Sequence, residues 1–445
     1  MWLCILLLLS VVWIVYSTAK LKLHPFLALL FTAFCFGLFA GMPLGEIVDS
    51  VNDGFGKTIG SIGIVIIAGT IIGVFLEKSG GAFTMAESVL KATGKKNVPL
   101  AMSIVGYIVS IPVFCDSGFV ILTPLNKALA KKSNLSLASC AVALSLGLYA
   151  THTMVPPTPG PIAAAKLLGA DLGRVILLGT IVSLIALAAG WLYAVKVAAK
   201  VYIDPEPELS EEEIESKMKE APGAVRSFIP IVLPLVLIVL NSIVPYLPEI
   251  ISTGTCRSVI GFIGSPIIAL SIGVLMAFTL PKRLEKSMLS TSGWVGEGLL
   301  NAAIIIMITG AGGAFGTVLR NSGIADAIGE SLAGLHLGIW LPFLIAVAIK
   351  TAQGSSTVAI ITTATLMAPL AASLGFETPM QLASVVVMIG AGSMFVSHAN
   401  DSYFWVVTQF SKMDVSTGYK LYSLGGVLEG MTAGFAVWII YVFMI

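Results

Sequence analysis

The chain has 445 residues, of which 57% are hydrophobic and 11% charged, with a net charge of +1 at pH 7 and a mean hydropathy of +0.97. Soluble domains carry about 25% charged residues, so a soluble globular fold is excluded, and the near-neutral balance gives no basis for a nucleic-acid or acidic partner. Apolar runs of roughly 20 residues, the length that crosses a bilayer as a helix, recur from end to end, while the short alternating segments of a transmembrane barrel are absent.

In chain order, spans are expected near 1–18, 24–42, 58–76, 98–114, 136–155, 174–199, 227–246, 258–280, 296–318, 340–350, 380–397 and 421–444. The first, "MWLCILLLLSVVWIVYSTA", lacks a basic n-region and is long for a signal-peptide core, so it reads as a retained helix. Cys4, Cys35, Cys115, Cys140 and Cys256 have neither metal-ligand nor disulfide spacing, and read as reduced thiols in apolar segments. The stretch 203–226, "IDPEPELSEEEIESKMKEAPGAVR", is too polar for a membrane and too short for a domain. It is expected to be an exposed cytoplasmic linker between halves at 1–202 and 227–445.

The halves resemble each other. "AGTIIGVFLEKSG" (68–80) aligns without gaps on "AGGAFGTVLRNSG" (311–323), and "HPFLAL" (24–29) on "SPIIAL" (265–270). Further pairs keep the same order at an offset of 241 to 246 residues: 123–125 with 368–370, 136–139 with 381–384, and 150–152 with 396–398. With Met1 outside, only Lys57, Lys166, Arg174, Arg257, Arg320 and Lys350 of the 25 basic residues fall outside or within the membrane. That is the bias of the positive-inside rule. It requires 98–132 to enter and return on the cytoplasmic side, and 340–373 to do so on the opposite side. The fold class expected is an all-α polytopic membrane protein with two inverted-topology repeats. Each repeat would hold about five transmembrane helices and a re-entrant helical hairpin, the architecture of secondary transporters.

The polar breaks carry the chemistry. "IPVFCDSGFVILTPL" (111–125) sets Asp116 in an apolar run interrupted by Pro112, Gly118 and Pro124. Non-helical backbone at membrane depth is tolerated where protein or a water-filled cavity satisfies it. An ionisable group there points to ion, proton or substrate handling; a structural ion pair is the competing reading. In the second half, "KTAQGSSTVAIITTA" (350–364) breaks at Gly354, and Ser355, Ser356 and Thr357 open the next helix. Free N–H groups and hydroxyls at a helix N-terminus make an anion site, although capping and close packing also use such residues. Lys350 either adds positive charge to that site or snorkels to the outer interface. "ATHTMVPPTPGPIAAAK" (150–166) cannot form one helix through its prolines, and its repeat partner "VSHANDSYFW" carries Asn400 and Asp401. His152 and His398 sit at equivalent breaks, where each is either a hydrogen-bonded interior residue or a titrating one. No zinc motif, Ser-His-Asp order, P-loop or dinucleotide fingerprint is present. Hence no metal or cofactor is expected, and the missing P-loop argues against direct ATP drive.

These motifs, "FCDSGFVILTPL", "HTMVPPTPGPIAAA", "GAGGAFGTVL", "QGSSTVAIITTATLMAPL" and "SHANDSYFW", resemble the gluconate permease family of proton symporters across essentially the whole chain. The resemblance implies uptake, with protons, of a small hydroxylated carboxylate such as gluconate, another sugar acid, glycerate or D-serine. Where the family pattern has an apolar residue between the acid and the glycine of the first hairpin, this chain has Ser117, a more polar tip. Some members carry a different basic residue or His at the position of Lys350. The expected substrate-contacting residues are Ser117, Gly118, Thr158, Gln353, Gly354, Ser355, Ser356, Thr357 and Asn400. The expected proton-coupling residues are Asp116, His152, His398, Asp401 and Lys350. The expected setting is the inner membrane, as a multi-pass protein in contact with lipid, a small organic anion and protons; monomer and homo-oligomer stay open. A sodium-coupled carboxylate transporter is the alternative within the class. An intramembrane enzyme would need a constellation specific to one half, whereas the breaks recur in both. A passive channel would show a ring of charges or a filter repeat.

Overall fold

The computed structural model describes residues 2–93, 97–205, 221–244, 254–324, 337–398 and 401–444. Among them the regular structure is helical, with no strand. The first half runs α1 (Trp2–Ala19), α2 (Pro25–Phe39), α3 (Leu44–Lys78), α4 (Gly81–Thr93), α5 (Val98–Val109), α6 (Cys115–Lys132), α7 (Leu137–Met154), α8 (Pro159–Leu167) and α9 (Leu172–Lys196). The second runs α10 (Ala224–Ile243), α11 (Gly254–Ile263), α12 (Pro266–Ala277), α13 (Trp294–Asn321), α14 (Trp340–Gln353), α15 (Ser356–Met367), α16 (Pro379–Ser393) and α17 (Ser402–Phe410). It ends with a short α18 (Val415–Gly418), a π-helical turn (Tyr419–Ser423) and α19 (Leu424–Met444). Five of these stretches are long and apolar enough to cross a membrane, or up to seven if each of two bent pairs is one span. Most of the expected linker, 206–220, lies outside the described residues.

Helix ends follow local chemistry. Ser136 caps α7 by accepting from the Ala138 N–H at 3.1 Å, and Asp171 caps α9 through the Arg174 N–H at 2.8 Å. Thr378 and Gln381 form a reciprocal capping box on α16, satisfying two of the donors a helix N-terminus leaves open. Along α9, Leu177, Ile181, Leu184 and Ile185 face outward, while Gly179, Val182, Ser183 and Ala186 are buried. That one-sided spacing marks a helix with one face to lipid and one to protein.

Two packing relations position the breaks. Helices α3 and α13 cross antiparallel: Asn321 donates to Ser50 at one end (2.8 Å), Thr70 Oγ1 donates to the Gly298 carbonyl further along (2.9 Å), and Lys78 pairs with Glu297 at the other end (3.1 Å). They also meet glycine on glycine, Gly54 against Gly313, where an added side chain would strike the opposing backbone. Helix α7, buried over its whole length, packs on α5 with Gly147 against the Ser103 carbonyl. The second half repeats this contact, with Gly392 of α16 against the Phe343 carbonyl of α14. Small residues that let backbones close up are the usual glue of membrane helices. Helices next to the breaks also touch across the halves: α15 packs on α8 as well as on α14, and α6 on α17 as well as on α7.

The break in the first hairpin differs from the sequence expectation. Helix α5 stops at Val109 and α6 starts at Cys115, so Pro112 lies in the break while Gly118 is already one turn inside α6. A Cβ at Gly118 would come within 2.7 Å of the Leu148 side chain, so this glycine serves close packing of α6 on α7. Pro124 also lies within α6 and does not end it.

Gly147→Val should therefore lower the thermal stability of the detergent-solubilised protein markedly, since overpacking costs roughly 1–3 kcal/mol even where neighbours can yield. Gly56→Ala, on α3 with nothing within 4 Å of the added carbon, should leave it unchanged or raise it slightly. Melting followed by size-exclusion fluorescence checks both, and equal behaviour of the two variants would contradict the glycine-contact account.

Candidate functional site

Four interruptions, two from each half, meet at a buried ion pair. In the second half α14 ends in Lys350, Thr351, Ala352 and Gln353, and Gly354 turns the chain with φ +96°. This left-handed conformation costs a glycine little and other residues considerably more. Ser355 is the N-cap of α15, accepting from the Val358 N–H at 3.3 Å. The capping role considered for this serine is thus the one its side chain fills. The N–H groups of Ser356 and Thr357, in the first turn, have no acceptor within their own helix.

Between α16 and α17, Asp401 caps α17 by accepting from the Tyr403 N–H at 3.1 Å. Its other oxygen accepts from Lys350 Nζ at 2.7 Å and from the Ser397 hydroxyl. Lys350 is 0% exposed and Asp401 5%; the lysine also donates to the Gly354 carbonyl and lies 5.6 Å from the Tyr149 ring centroid. It therefore points inward and does not snorkel to an interface. Desolvating such a pair costs several kcal/mol per ion, offset only by close geometry and further hydrogen bonds. Both are present: one carboxylate receives three donors, and the ammonium has a carboxylate, a carbonyl and an aromatic face.

The first half closes around this pair. Ser110 Oγ donates to the Val113 carbonyl across the α5–α6 break (3.1 Å), and Cys115 Sγ contacts Asp116 Oδ1 at 3.4 Å. Cys115 and His152 both lie within electrostatic reach of Asp401 and Lys350. Asp116 and Ser117, in the first turn of α6, are half-buried, and an acid there is favoured by the helix dipole. His152 is buried against the Phe114 ring, 5.9 Å between centroids, and its Nδ1 has no hydrogen-bond partner among the described residues. Thr158 Oγ1 donates to the Val155 carbonyl at 2.7 Å, satisfying the α7–α8 break. His398 is half-buried, with Nε2 2.7 Å from the Thr351 carbonyl, so it ties the α16–α17 break to the end of α14. Asn400 and the side chain of Gln353 lie outside the described residues.

Several residues at this place were passed over in the sequence. Tyr149 lies within side-chain hydrogen-bonding reach of Ser356 and also donates to the Ser393 carbonyl (3.4 Å), so it joins α7 to both second-half breaks. The Tyr403 ring lies tilted against it, 5.4 Å between centroids, and its hydroxyl donates to the Ser145 carbonyl at 3.0 Å. Ser397 is held by the Asp401 carboxylate, and its own carbonyl accepts from Ser423. In an apolar sequence tyrosines look like bulk, and only their buried hydroxyls reveal the role. Glu429 on α19 did carry a signal, being a single acid in the last span, where ionisable groups are costly and functional. It is fully buried with both carboxylate oxygens unpartnered among the described residues, and Oε1 lies 3.2 Å from where a Cβ of Gly190 would stand.

The family model of GntP permeases matches residues 2–443. An uncharacterized permease of Haemophilus influenzae is 40% identical over 91% of this chain and 84% of its own length. A gluconate permease of Pseudomonas aeruginosa is 34% identical over 94% and 92%, and the D-serine transporter DsdX of Escherichia coli is 32% identical over 97% and 96%. Among solved structures, Neisseria gonorrhoeae MtrF superposes with a TM-score of 0.68 over 97% of each chain at 14% identity, a likeness of fold alone. A match running through every break of both halves leaves no part of the site outside the comparison: the chain belongs to the GntP family of permeases, multi-pass transporters of the inner membrane.

Proposed function

We propose that this permease imports a small hydroxylated carboxylate, gluconate or a related sugar acid, by symport with protons. The observation that carries the reading is the convergence of breaks from both halves on the desolvated Lys350–Asp401 pair, beside the open N-terminus of α15. The halves 1–202 and 227–445 act as inverted repeats joined by the cytoplasmic linker 203–226. The antiparallel crossing of helices α3 and α13, which the sequence alignment makes equivalent, and the repeated glycine-on-carbonyl contact support this. Alternating access then exposes one site to each side in turn.

Charge balance gives the coupling. A buried lysine needs a counter-charge. In the empty carrier Asp401 supplies it. If Asp401 takes a proton, Lys350 is left uncompensated unless a second anion arrives, and the substrate carboxylate is that anion. Proton and substrate therefore bind together, and the loaded site keeps the charge of the empty one. The carboxylate sits between Lys350 and the N–H groups of Ser356 and Thr357. Its hydroxyls meet Ser117, Thr158, Gln353, Gly354 and Asn400, with Gly118 keeping α6 close. Asp116, His152 and His398 are the groups through which the proton reaches Asp401. D-serine, the substrate named for one relative, carries the same carboxylate and a hydroxyl and is the second reading. Vesicles given a sodium gradient in place of a proton gradient separate sodium coupling from proton coupling.

Asp401→Asn should abolish accumulation of gluconate driven by a pH gradient while counterflow without a gradient persists. The same variant should melt well below wild type, by an amount reflecting roughly 3–5 kcal/mol for an unpaired buried charge, and gluconate should raise its melting point more than it raises that of wild type. Accumulation at the wild-type level would refute the coupling. Asp116→Asn should slow gradient-driven uptake more than counterflow, and equal loss of both would assign Asp116 to substrate contact or structure.

Replacing Ser356 with Ala should weaken binding by about 1 kcal/mol, roughly fivefold in Kd, for the loss of one net hydrogen bond. Sorbitol, which matches gluconate in length but lacks the carboxylate, should compete poorly. Competition by sorbitol equal to that of gluconate would remove the carboxylate from the site and return the serines to capping and packing.

A further inference from the structure

Away from the ion pair, a cavity of about 240 Å³ opens between α3, α8, α13 and the far end of α15. Lys57, Lys166 and Arg320 line it, interleaved with the hydroxyl-bearing Thr58, Thr317 and Thr365. These three cations come from three different helices, and all three break the positive-inside pattern of the chain. The other exceptions are the buried Lys350, and Arg174 and Arg257, which do not line this cavity. Lys57 is paired with Asp53 at 2.6 Å, so its charge is largely offset. Lys166 and Arg320 are exposed and have no ion-pair partner among the described residues. Asp171, beside Lys166, lines the neighbouring cavity and caps α9 through the Arg174 N–H. The balance inside the cavity is therefore positive.

We propose that this cavity is an outer vestibule that gathers the anionic substrate before it reaches the Lys350 site. The proposal rests on the import reading for its direction, outside to inside, and on the cavity alone for its anion preference. Three features fit. The volume lies just below the roughly 300–1,000 Å³ of drug-sized pockets, the scale of a small organic acid. Two unpaired cations at the mouth of a low-dielectric cleft focus field and raise the local concentration of anions. Thr365 lies on α15 itself, nine residues past Ser356, or about 14 Å along the helix at 1.5 Å per residue. The vestibule and the substrate site thus share one helix, with the anion-binding N-terminus at its inner end. The close Gly54–Gly313 contact brings α3 and α13 together in the cavity wall, and both glycines line it.

The first test needs no substrate. Thr317→Cys, in the full chain with its native cysteines replaced and reconstituted in vesicles, is treated from outside with sulfonate- or trimethylammonium-bearing methanethiosulfonate, each rate being referred to a free thiol. The anionic reagent should react several-fold faster relative to that reference, and Lys166→Gln with Arg320→Gln should erase the preference. Thr58→Cys is a second reporter should the first fold poorly. No preference, or one that survives neutralisation, overturns the proposal. In transport, the doubly neutralised protein should show an external KM for gluconate raised about tenfold at low salt, with Vmax unchanged. Lys166→Arg with Arg320→Lys should keep the wild-type KM, and the KM measured from the inner face should not move. An equal rise on both faces overturns the vestibule. Absence of gluconate uptake by the unsubstituted protein overturns the import reading instead, and the thiol rates still decide the vestibule.

Discussion

The site depends on one electrostatic constraint: an ammonium and a carboxylate removed from water, 2.7 Å apart, between elements that no single helix could provide. Neither charge is tolerable alone at that depth. Lys350 comes from the end of a helix that stops at Gly354, and Asp401 from the cap of a helix that starts after a break. The pair therefore fixes the two second-half breaks relative to each other. Tyr149 then fixes α7 of the first half to both, through its ring over the ammonium and its hydroxyl toward Ser356 and Ser393. The polar centre of the protein is built from chain ends and caps because those are the places where a membrane helix has hydrogen-bonding capacity to spare.

Much of this was legible in the amino-acid order. The breaks at Pro112, Gly354 and the proline cluster at 156–161 stand out because the surrounding sequence is so uniformly apolar, and the ionisable residues beside them stand out for the same reason. The motif order sufficed for the family. What could not be read was pairing. Lys350 allowed a substrate role or an interfacial one, and only the fold, by bringing Asp401 from 51 residues away, decides that it is buried. Gly118 failed as a breaker because its effect depends on Leu148 across the α6–α7 contact, which no local rule sees. Ser355 allows capping or substrate contact in the sequence, and the fold shows its side chain capping α15. The tyrosines were invisible as polar groups, and Glu429 was overlooked although the rule that flags Asp116 applies equally to it.

If the two halves are repeats, as proposed, the likeness has an energetic reading as well. Gly147 of α7 meets the Ser103 carbonyl of α5, and Gly392 of α16 meets the Phe343 carbonyl of α14. Without a hydrophobic driving force between helices, close backbone approach supplies much of their attraction in a bilayer. A repeat that preserves its glycines keeps its internal packing even as its polar residues diverge. Under that reading the two histidines keep their place, while the first turn of α6 carries Asp116 where the first turn of α15 carries Thr357, so the acid sits in one half and the hydroxyls in the other. The symmetry is one of scaffold, and the asymmetry is the chemistry.

Charge placement extends outward from the central pair. Inside, every cation at the site is compensated, since an uncompensated one would cost more than the helix packing returns. At the cavity lined by Lys166 and Arg320 the same compensation is missing, because water and salt reach the groups and the penalty is small. An anion following the proposed path from that cavity to the N-terminus of α15 would pass from screened, unpaired charges to a desolvated lysine already neutralised by Asp401. The first environment attracts any small anion. In the proposed cycle the second accepts one only when a proton takes the place of Lys350 as the partner of Asp401. On that proposal, selectivity and coupling belong to the buried pair, and capture belongs to the exposed cations. Such a division along one helix has a physical reason: a single lysine cannot be both solvent-exposed for capture and desolvated for coupling.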